Sequence, residues 1–368
     1  MHVIAVDRDP QAVGLVLADE RAIISSEDEE AVDRLARALD VDGIVSPGAD
    51  WPVGIAARVA ERIGLAHPIT ARTGSIVTSK ARQREAFAAS GVPHARELDP
   101  REAELRFPVV VKAPDRQGQR GLALVHSPGQ LEAALAAALA ESRGGAVLVE
   151  EHVEGPEVTV NAVSVDGRFV PLTVTDRLTA ESPAFGVALA HVWPSRHDTT
   201  AAVDAAGAAA AAAGIRNGPS YTQLRLGPTG PVVMEVAARL GGGHDAELCA
   251  AATGVDLNAL AVSFALDDDV SSYDARGHGA KAQAAAVVFL VPPVGRLVEV
   301  EGVAEAEALP GVGWVRVYRR PAHVFGPLRR GADRAGAVLV TGADRDDALE
   351  RGRRAADAVR FRVDADPS

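Results

Sequence analysis

The sequence contains almost no cysteine. Its 368 residues include one cysteine, Cys249, which excludes an internal disulfide framework and favours a reducing compartment. We therefore expect a cytoplasmic protein, with Cys249 as a small core residue on an alanine-rich helix. The paired cysteines and histidine clusters that are typical of zinc sites are lacking as well.

Long hydrophobic runs and an excess of positive charge are also lacking. No apolar run approaches the ~20 residues that a membrane span needs, although the mean hydropathy is +0.05. The N-terminal residues MHVIAVDRDP do not have the basic and apolar regions of a secretion signal. The net charge of −12 disfavours a nucleic-acid partner. We expect neither a membrane nor a nucleic acid as a partner.

Lysine is nearly absent. Only Lys80, Lys112 and Lys281 occur among the 38 basic residues, so arginine is used wherever any cation serves. A position that keeps a compact ammonium group is a candidate for binding phosphate oxygens. The alternative is that these lysines are ordinary surface cations.

Three common site motifs are missing. The sequence has no Walker-type G-x-x-x-x-G-K-[ST], no H-E-x-x-H and no G-x-S-x-G, which disfavours a P-loop, a metalloprotease site and a nucleophile elbow. A glycine-rich first strand–turn–helix, which a dinucleotide fold needs, is also missing.

Apolar strands alternate with helices, which predicts an α/β and α+β protein in three units. A small N-terminal α/β domain covers residues 1–75, a central body covers 76–270, and a C-terminal α+β domain covers 280–368. The polar stretch at 267–279 is the predicted linker.

The N-terminal domain is expected to be shortened. Its predicted strands lie at 2–6 and 42–46, and its predicted helices at 28–39 and 52–63. So small a sheet is expected to have an unusually exposed strand edge, and such edges are normally covered. A homodimer partner or the C-terminal domain would cover it.

The remaining elements follow from period and turn signals. Helices are predicted at 80–90, around 131–139, at 200–213, from the triple glycine to 252, at 256–266 and at 344–358. Strands are predicted at 107–113, 121–125, 146–150, 158–164, 168–175, 221–226, 231–236, 285–291, 296–300, 313–318 and 336–341.

An ordered series of polar residues marks the central body. Lys80 begins a helix, and Lys112 ends a strand just before the loop PDRQGQRG. The stretch LVEEHVEGPE supplies carboxylates that include Glu157, and a hairpin places Gln223 and Glu235 on adjacent strands. Oxygen ligands from neighbouring strands suit Mg²⁺, with phosphates completing its shell. The series favours phosphoryl transfer without a P-loop.

The stretch VVMEVAARLGGGH, residues 232–244, raises a separate question. A strand ends in Glu235, Arg239 follows four residues later, and three glycines come next. Each glycine costs conformational entropy on folding. A structural ion pair of Glu235 with Arg239 is the alternative to a site, and it leaves the glycines unexplained.

In this order the motifs resemble the ATP-grasp superfamily of carboxylate–amine ligases, in particular the L-amino-acid (dipeptide) ligase branch. The sequence is also similar, more distantly, to the carbamoyl-phosphate synthetase large chain. The likeness extends over nearly the whole chain, and E-x-x-x-R-x-G-G-G after a hairpin is its most specific motif. It implies an ATP-grasp fold, ATP and Mg²⁺ as cofactors, and small-molecule carboxylate and amine substrates. These would be joined in an amide or peptide bond through an acylphosphate.

The resemblance also implies roles for residues that bind ATP. Lys80 and Lys112 would contact its phosphates, and the loop from Gly118 to Gly121 would close over them. Four residues would form a hinge that holds the adenine, mostly by main-chain groups: Glu150, Glu151, His152 and Val153. Glu157 would bind the ribose hydroxyls.

Further roles implied by the resemblance concern the metal and the reacting groups. Glu235 would bridge the magnesium ions, with Gln223 as the second protein ligand, and Arg239 would hold the acylphosphate. The glycines that would bring backbone N–H groups to the reacting carboxylate are Gly241, Gly242 and Gly243.

Two positions depart from the family pattern. Gln223 stands where a carboxylate is usual, and Ala237 stands where asparagine is usual. One metal site is therefore expected to be weaker, to be rebuilt with water, or to be completed by another ligand, which affects catalysis more than nucleotide binding. Glu157 as a plain turn residue, and Gln223 as a cross-strand partner only, are the structural alternatives.

The acceptor pocket is less defined by the sequence. Arg177 is a candidate to hold a substrate carboxylate, and His191 is a candidate to lie near the attacking amine. His244 and Asp245 follow the glycines directly. Hydrogen bonds that anchor loops are the alternative role for each of these residues.

Two other functions compete with the ligase. One is a nucleotide-binding regulatory or partner protein without turnover, which Ala237 and the short N-terminal domain favour. The other is a biotin-dependent carboxylase component, which the absence of a biotin-accepting Met-Lys motif disfavours.

Overall fold

The structure is a computed structural model that describes residues 1–102, 105–271, 273 and 280–364. The linker predicted at 267–279 falls partly outside the described residues.

The N-terminal unit pairs a very small sheet with helices. Strands β1 (Ile4–Val6) and β2 (Glu20–Ala22) are parallel and form a two-stranded sheet. Helices α1 (Glu29–Ala38), α2 (Asp50–Ile63) and α3 (Ala71–Val77) follow. The helices predicted at 28–39 and 52–63 are confirmed. The covering of the sheet edge by a homodimer partner or by the C-terminal domain stays a prediction.

The strand predicted at 42–46 is wrong. That segment has no strand partner. Its Ile44, together with the preceding Val41, instead packs against the cluster of Ala36, Ile55 and Val59 from helices α1 and α2. A short apolar run marks burial, and burial alone does not distinguish a strand from an irregular segment.

The next unit is a three-stranded antiparallel sheet in the order β4-β3-β5. Its strands are β3 (Val109–Lys112), β4 (Leu122–Val125) and β5 (Leu148–Glu151), preceded by α4 (Lys80–Ser90) and covered by α5 (Pro128–Glu141). Lys80 begins α4 and Lys112 ends β3, as the sequence predicts.

An eight-stranded antiparallel sheet forms the centre of the molecule. In spatial order its strands are β10 (Gly230–Ala237), β9 (Gly218–Gly227), β6 (Glu157–Val165), β7 (Arg168–Thr179), β8 (Ala188–Trp193), β11 (Ala284–Leu290), β15 (Gly336–Gly342) and β13 (Val312–Val317).

Helices and a further small sheet complete the described chain. The helices are α6 (Thr200–Ala212), α7 (Asp245–Thr253), α8 (Leu257–Ala265), α9 (Val303–Glu307) and α10 (Arg345–Ala358). The sheet, in the order β14-β12-β16, consists of β12 (Gly295–Glu301), β14 (Val324–Phe325) and β16 (Arg360–Asp364). Within the described ranges no single helix is long and apolar enough to cross a membrane; only α7 and α8 taken together reach that length and composition, and they meet at a bend of 107°.

Strand β8 joins the central body to the C-terminal elements. It lies between β7 and β11, and pairs antiparallel with both. The sequence did not predict it, because its flanking Pro183, Gly186 and Pro194 read as a loop. The boundary between 76–270 and 280–368 stays a prediction, but one hydrogen-bonded sheet continues across it.

Helix α6 packs closely because one of its faces is almost pure alanine. Ala202, Ala206 and Ala209 are 0–1% exposed and belong to the same core cluster as Leu224 and Val233 of the sheet. Small side chains let the helix backbone approach the strands, so this interface has no room for larger ones.

We predict that Ala209→Leu lowers the free energy of unfolding by ~1–3 kcal/mol through overpacking. Ala208→Leu is the matched control, because Ala208 is exposed on the same helix, and it should change the stability by less than ~0.5 kcal/mol. Denaturant unfolding of both variants measures the difference. Equal stabilities would contradict the close contact between α6 and the sheet.

Candidate functional site

A cleft of about 820 Å³ lies between the three-stranded sheet and the β9–β10 edge of the large sheet. The sequence-predicted residues that line it are Lys80, Lys112, Gly118, Glu150, Glu151, His152, Val153, Glu157, Gln223 and Glu235. The structure therefore brings the predicted phosphate, hinge and metal residues together in one place.

A buried ionic network fixes Lys112. Its ammonium group forms an ion pair with Glu150, which is 1% exposed. Glu150 forms a second ion pair, with Arg84, at 2.6 Å. Burial would raise the pKa of Glu150, but Lys112 and Arg84 outweigh it and lower the pKa. Burial lowers the pKa of Lys112 to about 8 against the attraction of Glu150. Arg84 also donates to the Met234 carbonyl at 2.7 Å, which ties α4 to β10.

Lys80 makes the second ionic contact of the cleft. Its Nζ lies 3.0 Å from Glu235 Oε2. It also donates to the carbonyl of Arg116, in the loop 114–121 that contains the two glycines, at 2.9 Å. Burial would raise the pKa of Glu235, but the ammonium of Lys80 holds it well below its usual value. Glu235 is thus ionised, as a metal ligand must be.

The predicted metal ligands are cross-strand neighbours. Glu235 on β10 is paired in register with Gln223 on β9. The Gln223 amide donates to Glu157, and its oxygen has no partner in the described part of the chain. In that part, no group of three or more His, Cys, Asp or Glu could hold a metal, and Ala237 adds no ligand. Two oxygens fit a Mg²⁺ ion that takes its other ligands from phosphates and water.

Glu157 and Arg177 form a buried pair beside the cleft. They face each other across β6 and β7, with an ion pair between the side chains. Arg177 also donates to the Gly186 carbonyl at 2.9 Å. Arg177 is therefore committed to Glu157, and its predicted contact with a substrate carboxylate stays a prediction.

Arg239 lies at the turn after β10 and pairs with Asp50 at the start of α2. It also donates to the Leu240 carbonyl at 2.6 Å. Burial would lower the pKa of Arg239, but Asp50 outweighs it and raises the pKa. A cavity of about 460 Å³ adjoins the cleft and is lined by Asp50, Lys80 and Glu235. The predicted contact of Arg239 with the acylphosphate stays a prediction.

Two of the three glycines are required by close packing. A Cβ on Gly241 would lie 2.7 Å from the Tyr221 ring, and one on Gly243 would lie 2.9 Å from the Phe289 ring. Gly243 also has a φ of +67°, which side chains rarely adopt. A Cβ on Gly242 would meet nothing within 4 Å, so its backbone faces open space.

The residues around this turn form two polar pairs. His191 is 2% exposed, and its Nδ1 lies 3.6 Å from the Asp245 carboxylate, which accepts from Thr159 at 2.8 Å. His244 Nε2 lies 2.5 Å from the Tyr318 hydroxyl. None of these lines the cleft, and their substrate roles stay predictions.

Family models match two parts of the chain. Residues 105–247 match the ATP-grasp domain, and residues 288–364 match the L-amino acid ligase C-terminal domain 2. The chain therefore contains an ATP-grasp domain. The ATP-grasp fold expected from the sequence is thus confirmed, as is the expectation of an ADP-forming ligase of the kind that uses ATP and Mg²⁺.

Individual relatives cover different shares of this ATP-grasp chain. The L-amino acid ligase structure from Bacillus licheniformis superposes with a TM-score of 0.82 at 21% identity, over 94% of this chain and 88% of that one. An uncharacterized protein of Sinorhizobium fredii is 25% identical over 99% of this chain and 78% of its own length. Carnosine synthase 1 of Gallus gallus is 31% identical over 44% of this chain, which matches 19% of that protein.

Sequence reasoning missed several residues of the ATP-grasp site. Arg84 reads as a surface helix residue and Asp50 as a helix start, because their partners are distant in sequence. Arg225 donates to the carbonyls of Val153, the last residue of the predicted hinge, and of Gly155 just after it. Its guanidinium lies 5.6 Å from the centre of the Phe185 ring. These contacts join segments far apart in sequence, so they are visible only in the folded structure.

We predict that ATP binding depends on the protonation of Lys112. Since its pKa lies at about 8, the ammonium loses its proton above that pH, and its attraction for phosphate falls. ATP binding at pH 9 should therefore take up a proton, whereas binding at pH 7 should not. Calorimetry in two buffers of different ionisation enthalpy measures this uptake.

Lys112→Arg is the control for this prediction. Arginine stays charged, so the proton uptake should vanish, while its bulkier fork should weaken affinity at every pH. Equal uptake in both proteins at pH 9 would assign the proton to another group.

We predict different outcomes for the two halves of the Arg239–Asp50 pair. Arg239→Gln and Asp50→Asn break the same contact, so both should lower stability. Only the first removes the guanidinium, so only it should lower turnover by ~100-fold or more, with nucleotide affinity nearly kept. The measurements are calorimetric ATP affinity and ADP release. Similar losses of turnover in both variants would make the pair structural.

Proposed function

We propose that this chain is an ATP-dependent carboxylate–amine ligase that forms an amide or peptide bond through an acylphosphate, with an amino acid or small carboxylic acid as substrate. One observation carries the proposal: Lys80, Lys112, Gln223 and Glu235 converge in a single cleft.

The cleft would bind ATP through complementary charge. Lys112 and Lys80 offer ammonium groups to the phosphates, and the glycine loop from Gly118 to Gly121 would cover them. Arg225 donates a hydrogen bond to the Val153 carbonyl. This contact would hold the main chain of the hinge in one conformation, in which it would contact adenine. The buried partners of each cation keep it in place before ATP arrives, which limits the entropy lost on binding.

The first chemical step joins two anions. An oxygen of the substrate carboxylate attacks the γ-phosphorus, the bond to the β-phosphate oxygen breaks, and ADP leaves. Mg²⁺ held by Glu235 and Gln223 would supply charge neutralisation. Lys80, which lines both the cleft and the adjoining cavity, would add fixed positive charge, and Arg239 would add more where the acylphosphate charge develops.

The second step makes the carbon–nitrogen bond. The amine nitrogen attacks the acyl carbon, and phosphate leaves with the oxygen that came from the carboxylate. The amine must lose a proton, and His191 would accept it; its Nε2 lies 3.4 Å from the Cβ position of Gly243. The Asp245 carboxylate lies 3.6 Å from Nδ1, where it would stabilise the imidazolium by its charge.

A regulatory nucleotide-binding protein is the second candidate, favoured by the missing third ligand at Ala237. The two functions differ in turnover. ADP release should be measured over a panel of amino acids and small acids with amine acceptors, with products identified by mass. We expect release that requires both an acid and an amine.

Glu235→Gln is the matched control for this experiment. The change keeps the side-chain shape but removes the charge that Mg²⁺ needs, so turnover should fall by ~100-fold or more. Metal-dependent ATP binding without ADP release from any pair of substrates would favour the regulatory protein.

A further inference from the structure

Tyr221 on β9 is a buried tyrosine whose hydroxyl group has no hydrogen-bond partner among the residues that the structure describes. The residue is 5% exposed. A buried tyrosine hydroxyl normally finds a hydrogen-bond partner, and leaving one without a partner costs free energy. The hydroxyl group of Tyr221 is therefore free to bind a group from outside the chain.

Strand pairing places Tyr221 on the face of the sheet that carries the predicted metal ligands. Side chains two residues apart on a strand point to the same face, so Tyr221 shares a face with Gln223. Tyr221 is in register with Ala237 on β10, just as Gln223 is with Glu235. Because Ala237 offers only a methyl group, the phenol is the polar side chain of this pair.

The phenol ring packs against the triple-glycine turn and lies near Arg239. A Cβ on Gly241 would lie 2.7 Å from Cδ2 of the ring, so the ring occupies the space that a side chain at Gly241 would need. The Arg239 guanidinium carbon lies 5.8 Å from the ring centre, which is within the range of a cation–π contact. These contacts restrict the orientation of the ring, and with it the position of the hydroxyl group.

The charges that act on the hydroxyl group come from both sides of the site. Burial raises the pKa of Tyr221, Arg177 lowers it, and Asp245, Glu157 and Glu235 raise it further. The phenol therefore keeps its proton, so it can donate a hydrogen bond to an anion. Glu235 is a predicted metal ligand and Asp245 follows the glycine turn, so the hydroxyl group lies within electrostatic range of both.

We propose that the Tyr221 hydroxyl donates a hydrogen bond to the phosphoryl group as this group passes from ATP to the substrate carboxylate. The inference rests on the proposed ligase function and adds a catalytic residue to it. Tyr221 forms no covalent bond and keeps its proton throughout. It supplies an uncharged donor at the strand pair where Ala237 supplies no metal ligand, and a hydrogen bond to an anion is stronger than one between neutral groups.

Thr222, the next residue of β9, provides a matched control. Its hydroxyl group is also buried and has no hydrogen-bond partner in the described ranges, but it points to the opposite face of the sheet. Its cross-strand neighbours, Val236 and Val160, belong to the apolar core cluster. The two hydroxyl groups thus share burial and the lack of a partner, and differ in the face on which they lie.

Tyr221→Phe removes the hydroxyl oxygen and keeps the ring. The assay uses the acid that gives the most ADP in the substrate panel, with hydroxylamine to intercept the acylphosphate. We expect kcat for hydroxamate formation to fall by ~10–100-fold, the scale of a hydrogen bond to a charged group. Calorimetric affinity for MgATP should stay nearly unchanged, because the hydrogen bond forms only as the phosphoryl group is transferred.

Two further measurements separate this role from a structural one. The stability of Tyr221→Phe without ligands should not fall, because the deleted hydroxyl group has no partner in the folded chain. Thr222→Val should retain both the stability and the kcat of the wild type, because it removes a hydroxyl group from the core face.

Four outcomes would overturn the proposal. They are an unchanged kcat in Tyr221→Phe, a stability that falls together with kcat, an equal loss of kcat in Thr222→Val, and a loss of MgATP affinity that accounts for the whole loss of kcat/KM. The last would place the hydroxyl group on bound ATP and not on the group in transfer. Failure of the ligase function itself is distinguishable, because the wild type would then form no hydroxamate with any acid.

Discussion

The ion pair between Lys80 and Glu235 is the contact on which the geometry of the site depends. It joins the first residue of α4 to the edge strand β10, and the same ammonium donates a hydrogen bond to the carbonyl of Arg116 in the loop 114–121. Three separate elements therefore meet at one cation. Because Lys80 keeps Glu235 ionised, the site is ready for a divalent metal and a polyphosphate before either binds.

A second network explains why the two sheets enclose a cleft of fixed shape. Glu150 on β5 is shared by Lys112 and Arg84, and Arg84 reaches the main chain of β10. The charges are buried, so removing one member would leave another without a partner in a poorly solvated place. The cleft is thus held by the same groups that would contact ATP.

Much of this could be predicted from the sequence, and the remainder shares one cause. Lys112 was found because lysine is rare and because it ends a strand before a glycine loop. The Gln223–Glu235 pairing was found because a hairpin fixes its own register. Asp50 and Arg84 were not found, because their contacts join segments far apart in sequence. Strand β8 was missed because its flanking Pro183, Gly186 and Pro194 read as a loop, and because one of its two partners, β11, is distant in the chain (Val287 pairs with His191).

The central claim is that the substrate carboxylate is phosphorylated by ATP before the amine attacks. The most direct measurement uses a substrate whose carboxylate carries ¹⁸O and follows the label by mass spectrometry of the released phosphate. Attack of the carboxylate on the γ-phosphorus predicts one ¹⁸O atom in each phosphate formed. Phosphate that contains no ¹⁸O, released together with the amide product, would contradict the acylphosphate and the account built on it.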